Sequence, residues 1–561
     1  MTAPERADSP VNQLADRFWE TILELNPTTA TFYGDERYAD RLEDPGPEGR
    51  ARWRELMVRT AAEAAAIETD ALPTEERITR DMLRVVAELQ IEEDDQALHQ
   101  LRVVDQMGGP QQLLPQMTQF QAVDSPARVE AFVARLHAYP AFMAANAQIL
   151  RDGLASGLTA PRIVAERTIA QIERMLSVPI ESAIIPSMVK VANEADRERI
   201  RQVVRDVVQP ADVAFLEVLR GDYLAGTRQQ PGLWSAPNGE QLYRTAIRSW
   251  TTLELDAAAV HRTGLEELES IEEERRAIAR AAGFGDDTAA YRAHLDADPA
   301  NQPASKDALV ERASEDIERA LAAAPRWFGV LPKAPCDVRP VEEYKEKDAP
   351  FAYYYPPSPD GSRPGIYYAN GYDLPSRKFT RLATTTFHEA APGHHFQISL
   401  EMENDRLVTF RRLGARMVGG AYVEGWGLYA ERLADEMGLF RDEAERFGML
   451  DAQAWRAARL VVDTGLHALR WPRQRSIDFL RTAGLSETDA AIETDRYICW
   501  PGQALTYKIG QREIQRLRAE LSARDGSTFD LRAFHDAVLG HGSLPLATLA
   551  RELPNWLATP V

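Results

Sequence analysis

The sequence predicts a mainly α protein, large and two-lobed, with one small β-sheet set among its helices. Apolar residues recur at three- and four-residue spacing over most of the 561 residues, with charged faces between them. Alanine and arginine, both favourable in helices, are abundant, and long arms carry few glycines or prolines. One region departs from this pattern, with short aromatic segments around a proline-rich loop.

In chain order, the periodicity predicts helices over 14–25, 50–67, 77–98, 126–154 and 194–224, stacked antiparallel. The Pro/Gly-rich run 226–239 is the clearest break, dividing an N-terminal lobe over 1–230 from a second lobe over 231–561. Another helix is expected over 257–282. Segments 349–355 and 365–370 then read as strand, loop and strand, with Asn370 and Gly371 turning the chain at the end.

Hydrophobic residues make up 44% and charged residues 27%, enough for a sizeable core and a soluble surface. The net charge of −21 disfavours nucleic acid or an anionic membrane as partner, because both select basic surfaces. Two cysteines, Cys336 and Cys499, make neither a disulfide framework nor a cysteine zinc site. The N-terminal residues lack a basic start and an apolar run, and no stretch nears the ~20 apolar residues of a membrane span. Cytoplasmic residence is therefore expected.

The chemistry gathers in Thr386-Phe387-His388-Glu389-Ala390-Ala391-Pro392-Gly393-His394-His395-Phe396-Gln397, which holds three of the ten histidines. Zinc hydrolases need neutral imidazoles to hold the metal and a nearby carboxylate to take a proton from water. The usual order is H-E-x-x-H on one helical turn, and here that spacing is stretched. On a straight helix His388 and His394 would point to roughly opposite sides, at about 100° per residue. His388 and His395 would sit about 10 Å apart along the axis. Two nitrogens on one zinc must lie within roughly 3.5 Å, so neither pair works without a distortion. Pro392 breaks the hydrogen-bond ladder and Gly393 permits unusual backbone angles, so a two-residue bulge within 390–392 is expected. That makes His394 the second ligand, with His395 beside it as a supporting or substrate-facing group, or as the alternative ligand.

A third ligand should come from another helix. Glu424 lies among apolar and aromatic residues in Gly419–Glu431, where an unpaired carboxylate would be costly and a metal would compensate it. Glu431, seven residues on, shares its face and reads as a supporting group. On the helix from Asp451 to Leu469, Arg456, Arg459, Asp463 and His467 share one face. Asp463 and His467 have chelating i, i+4 spacing, but a buried network supporting the zinc ligands is the favoured reading. His99, His137, His261, His294, His535 and His541 stand alone and read as structural.

At these residues the chain resembles the bacterial H-E-x-x-x-G-H-H candidate zinc-peptidase family, domain of unknown function number 885, itself similar to the gluzincin metallopeptidases. The resemblance rests on His388 to Gln397, on Glu424-Gly-Trp-Gly-Leu-Tyr-Ala-Glu431 and on Pro501-Gly-Gln-Ala-Leu-Thr-Tyr-Lys-Ile-Gly510. Weaker matches, in 27–35, 459–467 and 540–546, extend it over nearly the whole length. It implies one family-length, metallopeptidase-like unit in two lobes with a deep central cleft, and Zn2+ held by two histidines and a downstream glutamate. On that reading 231–561 is the catalytic lobe.

Glu389, next to ligand His388, is then the expected general base and later proton donor. Gluzincins stabilise the oxyanion with a Tyr or His, so the resemblance points to Tyr507, with His395 second. Lys508 or an arginine such as Arg459 could hold a substrate carboxylate, as a carboxypeptidase requires. The strand 365–369, including Tyr367, is expected either as an edge along which a peptide pairs or as part of a structural sheet. The expected activity is a zinc peptidase, carboxypeptidase- or oligopeptidase-like, acting on a peptide. The rivals are a hydrolase of a small amide at the same site and a non-catalytic helical binding protein.

Overall fold

Prolines and small polar residues set the helix starts. Helices α1 (Pro10–Leu25), α2 (Pro47–Ala66) and α4 (Pro126–Ser156) each begin on a proline, whose missing N–H is harmless in a first turn. Helix α3 (Thr74–Asp95) lies between them. The Ser125 side chain caps α4 by accepting from the Arg128 N–H, and Gly157, with φ of 77°, closes it in the left-handed region. The structure, a computed structural model, describes residues 9–183, 185, 193–342, 346, 349–359, 361 and 363–558. The extreme N-terminus read for a leader lies, over 1–8, outside the described residues.

The chain is mainly helical and forms two compact units. The first comprises Met1–Ala246, Leu466–Arg473 and Ile492–Pro501; the second comprises Ile247–Gly465, Gln474–Ala491 and Gly502–Val561. The run 226–239 lies inside the first unit, not at its edge. Half-buried Arg228 ties it down by donating to the carbonyls of Thr159 and Gly232 and to Ser235 Oγ. The segment expected as one helix over 194–224 is helical from Glu194 to Gly226, interrupted by π turns at Val204–Val208 and Leu219–Tyr223.

In the second unit, α5 (Ala257–Ala281) and α6 (Lys306–Ala323) are capped by Asp256 and Ser305. Three strands follow: β1 (Cys336–Pro340), β2 (Ala352–Tyr355) and β3 (Gly365–Ala369), in the order β1-β3-β2. β3 pairs parallel with β1 and antiparallel with β2. The expectation that 365–369 is an edge open to a peptide is therefore wrong: β3 is the central strand, buried at every residue. One face of the sheet packs Tyr367 and Ala369 against Leu309, Ala313 and Ile317 of α6 and against Leu382.

Helices α7 (Phe379–Glu389), α8 (His394–Glu403), α9 (Ala421–Glu436), α10 (Glu443–His467) and α11 (Thr506–Asp525) complete the frame of the site. α9 and α11 cross with backbones in contact. A Cβ on Gly425 would lie 2.4 Å from the Gly510 carbonyl carbon, and one on Gly510 would lie 1.8 Å from the Ala421 oxygen. Only glycine at both positions permits that approach.

Candidate metal centre

The stretched motif is accommodated by a complete break. The expected bulge in one helix is instead an end and a restart: α7 stops at Glu389, the chain turns over 390–393 through a cis Ala391–Pro392 peptide, and α8 starts at His394. The turn is pinned to α9 by Trp426 Nε1, which donates to the Pro392 carbonyl at 2.9 Å. A Cβ at Gly393 would lie 1.9 Å from the His388 carbonyl oxygen, so the turn requires glycine. The result brings the His388 and His394 rings to 4.7 Å between centroids, nearly perpendicular at 83°.

Glu424, in the first turn of α9, reaches both. Its Oε2 lies 3.5 Å from Nε2 of His388 and 3.5 Å from Nε2 of His394. Two ligands at ~2.1 Å on a tetrahedral ion sit roughly 3.4 Å apart, so the spacing suits zinc. Among the described residues this is the one His/Cys/Asp/Glu group whose donor atoms all fall within 4.8 Å. The room around it is built in: a Cβ on Gly427 would stand 2.8 Å from His388 Nε2 and 2.9 Å from His394 Cε1. Without metal, burial opposes charge on His388, but Glu424 and Glu431 outweigh it and push its pKa up to about 10. Burial likewise opposes the Glu424 carboxylate, yet His388 and His394 hold it well below the usual range. Burial raises the pKa of Glu389, against the pull of His394 and His388.

Behind the triad lies a buried polar chain. Glu431 Oε1 accepts from His388 Nδ1 at 2.9 Å, which fixes the ring with Nε2 turned to Glu424. Glu431 Oε2 accepts from Gln453 Nε2 at 3.0 Å. Lys508 Nζ in turn donates to Gln453 Oε1 at 2.9 Å and to Gln511 Oε1 at 2.7 Å, with Glu267 at 3.6 Å. Burial pulls Lys508 down to about 8. Its ammonium is thus used inside the protein, which corrects its expected contact with a substrate carboxylate.

Other expected residues go elsewhere. His395 is fully engaged: its Nδ1 faces the Tyr354 hydroxyl at 2.8 Å and its Nε2 faces the Ala334 carbonyl at 3.1 Å. Burial lowers its pKa to about 4, and it stands outside the group of converging donor atoms. Asp463 accepts the Gly502 N–H on both oxygens, at 3.1 and 3.2 Å, and so fixes the turn leading into α11. His467 faces the Leu233 N–H and the Tyr497 carbonyl, so no chelating pair forms with Asp463. Tyr367 is buried, and its hydroxyl meets Thr386 Oγ1 at 3.3 Å, bracing α7 rather than a substrate.

Tyr507, in the first turn of α11, stacks its ring at 6.2 Å over His388. The Arg459 guanidinium lies 4.2 Å from the centre of that ring and 4.4 Å from that of Trp455. Sequence reasoning missed Gln453, Gln511 and Tyr354. Gln453 could have been found by extending the stripe of Arg456 and Arg459 back one turn; nothing marks the other two.

No curated protein matches the chain. Solved structures do match, among them a "putative lipoprotein" from Colwellia psychrerythraea, 27% identical, which covers 98% of this chain and 100% of its own with a TM-score of 0.91. A "putative lipoprotein of unknown function" from Shewanella oneidensis, 18% identical, covers 97% and 99% with a TM-score of 0.73. Lipoproteins are anchored to membranes, and these neighbours overturn the expectation of cytoplasmic residence, which rested only on features the sequence lacks. Among the described residues no helix is long and apolar enough to cross a membrane. The family model for "Bacterial protein of unknown function (DUF885)" matches residues 27–553, and the chain belongs to that family.

Proposed function

We propose that the protein is a zinc-dependent hydrolase of peptide bonds, with a metallopeptidase-like catalytic fold and a central cleft. One observation carries the reading: two imidazole Nε2 atoms and a carboxylate oxygen converge at ligand spacing, with Glu389 next in sequence to His388. His388, His394 and Glu424 would hold the ion. Bound there, zinc supplies a Lewis acid that acidifies water and polarises a carbonyl.

The chain's own residues do the rest. Glu389 closes α7 and takes the proton of the attacking water, then returns it to the leaving amine. Glu431 accepts from His388 Nδ1, so Nε2 is the nitrogen turned inward, where the ion would displace its proton. Gln453 holds Glu431 in turn, and Lys508 holds Gln453. The Tyr507 hydroxyl donates to the oxygen that gains charge as water adds. The test is zinc content of the purified protein by elemental analysis, followed by digestion of a peptide library with and without chelator. Stoichiometric zinc and chelator-sensitive cleavage support the reading; a zinc-loaded protein that cleaves no peptide defeats it.

A further inference from the structure

Four side chains from α7, α10 and α11 form one run of ring contacts that ends at the metal centre. Trp455 and Arg459 stand four residues apart on α10 and so share a face. The Arg459 guanidinium lies 4.4 Å from the centre of the Trp455 ring and 4.2 Å from that of Tyr507. The Tyr507 ring in turn lies 6.2 Å from that of His388 and only 27° from parallel to it. Arg459 is 2% exposed, so its charge meets these rings with water excluded, where a cation on an aromatic face counts most.

The same helix also holds the backbone that carries Tyr507. Asp463, one turn further along α10, accepts the Gly502 N–H on both oxygens and fixes the turn into α11. Arg459 and Asp463 thus grip the start of α11 at two points, one on a ring and one on the backbone. Any apolar neighbour could pack a tyrosine, and a buried cation is the costly choice. What the cation adds is a field. Positive charge against the face of a phenol favours the electron density that its oxygen gains as it donates a hydrogen bond. A ring already held in place needs no reorganisation when that charge develops.

We propose that Arg459 is the positioning residue of Tyr507: it holds the phenol ring beside His388 and strengthens its hydroxyl as the donor to the oxygen that gains charge. This rests on the peptidase reading above, and Arg459 acts in it through Tyr507 alone.

The test has two arms. In the first, the full-length, metal-free protein carries meta-fluorotyrosine in place of tyrosine, and the fluorine NMR line of residue 507 is the one absent from Tyr507→Phe. Arg459→Met should move that line, and Arg459→Lys should move it less. A line that stays in place in both variants overturns the proposal. In the second arm, kcat and KM are measured for the zinc-loaded protein on the peptide it cleaves fastest from a fluorescence-quenched library. Arg459→Met should lower kcat by about 3- to 30-fold with little change in KM, the range of one cation–π contact. Arg459→Lys, which keeps the charge, should restore part of the loss. In the Tyr507→Phe background the same substitutions should change kcat by less than about twofold, because no hydroxyl remains to strengthen. Melting curves report whether each variant is folded, and if the methionine variant is not, the lysine variant decides across the two backgrounds. An equal loss of turnover in both backgrounds, normal turnover with lowered stability, or normal turnover in Tyr507→Phe itself overturns the proposal. A zinc-loaded protein that cleaves no peptide while the fluorine line still moves would defeat the peptidase reading and with it the donor role, leaving only the hold on the ring.

Discussion

The triad of His388, His394 and Glu424 and the pair of Asp463 and His467 both offer metal-ligand residues, but the fold uses them in opposite ways. In the triad the donor atoms face one another, with Glu424 Oε2 at 3.5 Å from each Nε2. In the pair, Asp463 is committed to the Gly502 N–H and His467 to Leu233 and Tyr497. The pair has the better helical spacing and the triad the worse. Spacing supplies opportunity, while competition from unsatisfied backbone groups decides whether a side chain stays available. His394 and His395 repeat the contrast one residue apart.

The sharpest way to break that contrast is metal content. His388→Ala, His394→Ala or Glu424→Gln should each abolish stoichiometric zinc, while His395→Ala and Asp463→Asn should keep about one ion per chain by elemental analysis. Zinc lost from the His395 variant but kept in the His394 variant would reverse the assignment. Within the triad's surroundings, Glu389→Gln should retain zinc and lose about 10²–10⁴-fold in turnover, and near-normal turnover would remove Glu389 as the base. Tyr507→Phe should lower kcat by about 10²–10³-fold with little change in KM; lost stability with normal turnover would make it a core residue.

Weaker effects sharpen the comparison further. Lys508→Met should reduce zinc affinity by about 10- to 100-fold in a chelator competition, because it acts on His388 through Gln453 and Glu431. Unchanged affinity would confine the lysine to packing. The smallest effect concerns Glu401 of α8, which burial raises to about 7 despite bonds from Ser543 and Gln397. Between the ordinary 4.5 and 7 the folded state binds the extra proton, so stability is full below 4.5 and falls as pH rises through 7. The melting temperature should drop by roughly a few degrees across that window. Glu401→Gln should flatten the slope, and an unchanged profile would show that other groups set it.

Much of this arrangement was legible in residues. The apolar stripes of α1 to α5 announce helices, and Glu431 is readable because seven residues on from Glu424 is the same face. His394 could be favoured over His395 from Pro392 and Gly393, but where α8 restarts depends on long-range contacts such as Trp426 to Pro392, which the sequence does not display. β1 was missed because Cys-Asp-Val-Arg-Pro has too little apolar pattern to register, and that omission turned central β3 into a supposed edge. Lys508 was misjudged because a lysine ordinarily keeps its ammonium in water, and only the folded chain reveals the two glutamines that replace it.

The contact of Gly425 with Gly510 has a consequence for how this chain tolerates change. One glycine follows Glu424 directly and the other comes three residues after Tyr507, on helices that touch backbone to backbone. The two glycines act as a shim of zero thickness between Glu424, the proposed third ligand, and Tyr507, the proposed oxyanion donor. A single added methyl would wedge the helices apart and move both groups at once, although neither glycine carries any chemistry. Alanine at either place should look, in an activity screen, like the loss of a reactive group, and a hunt for reactive side chains would pass over both.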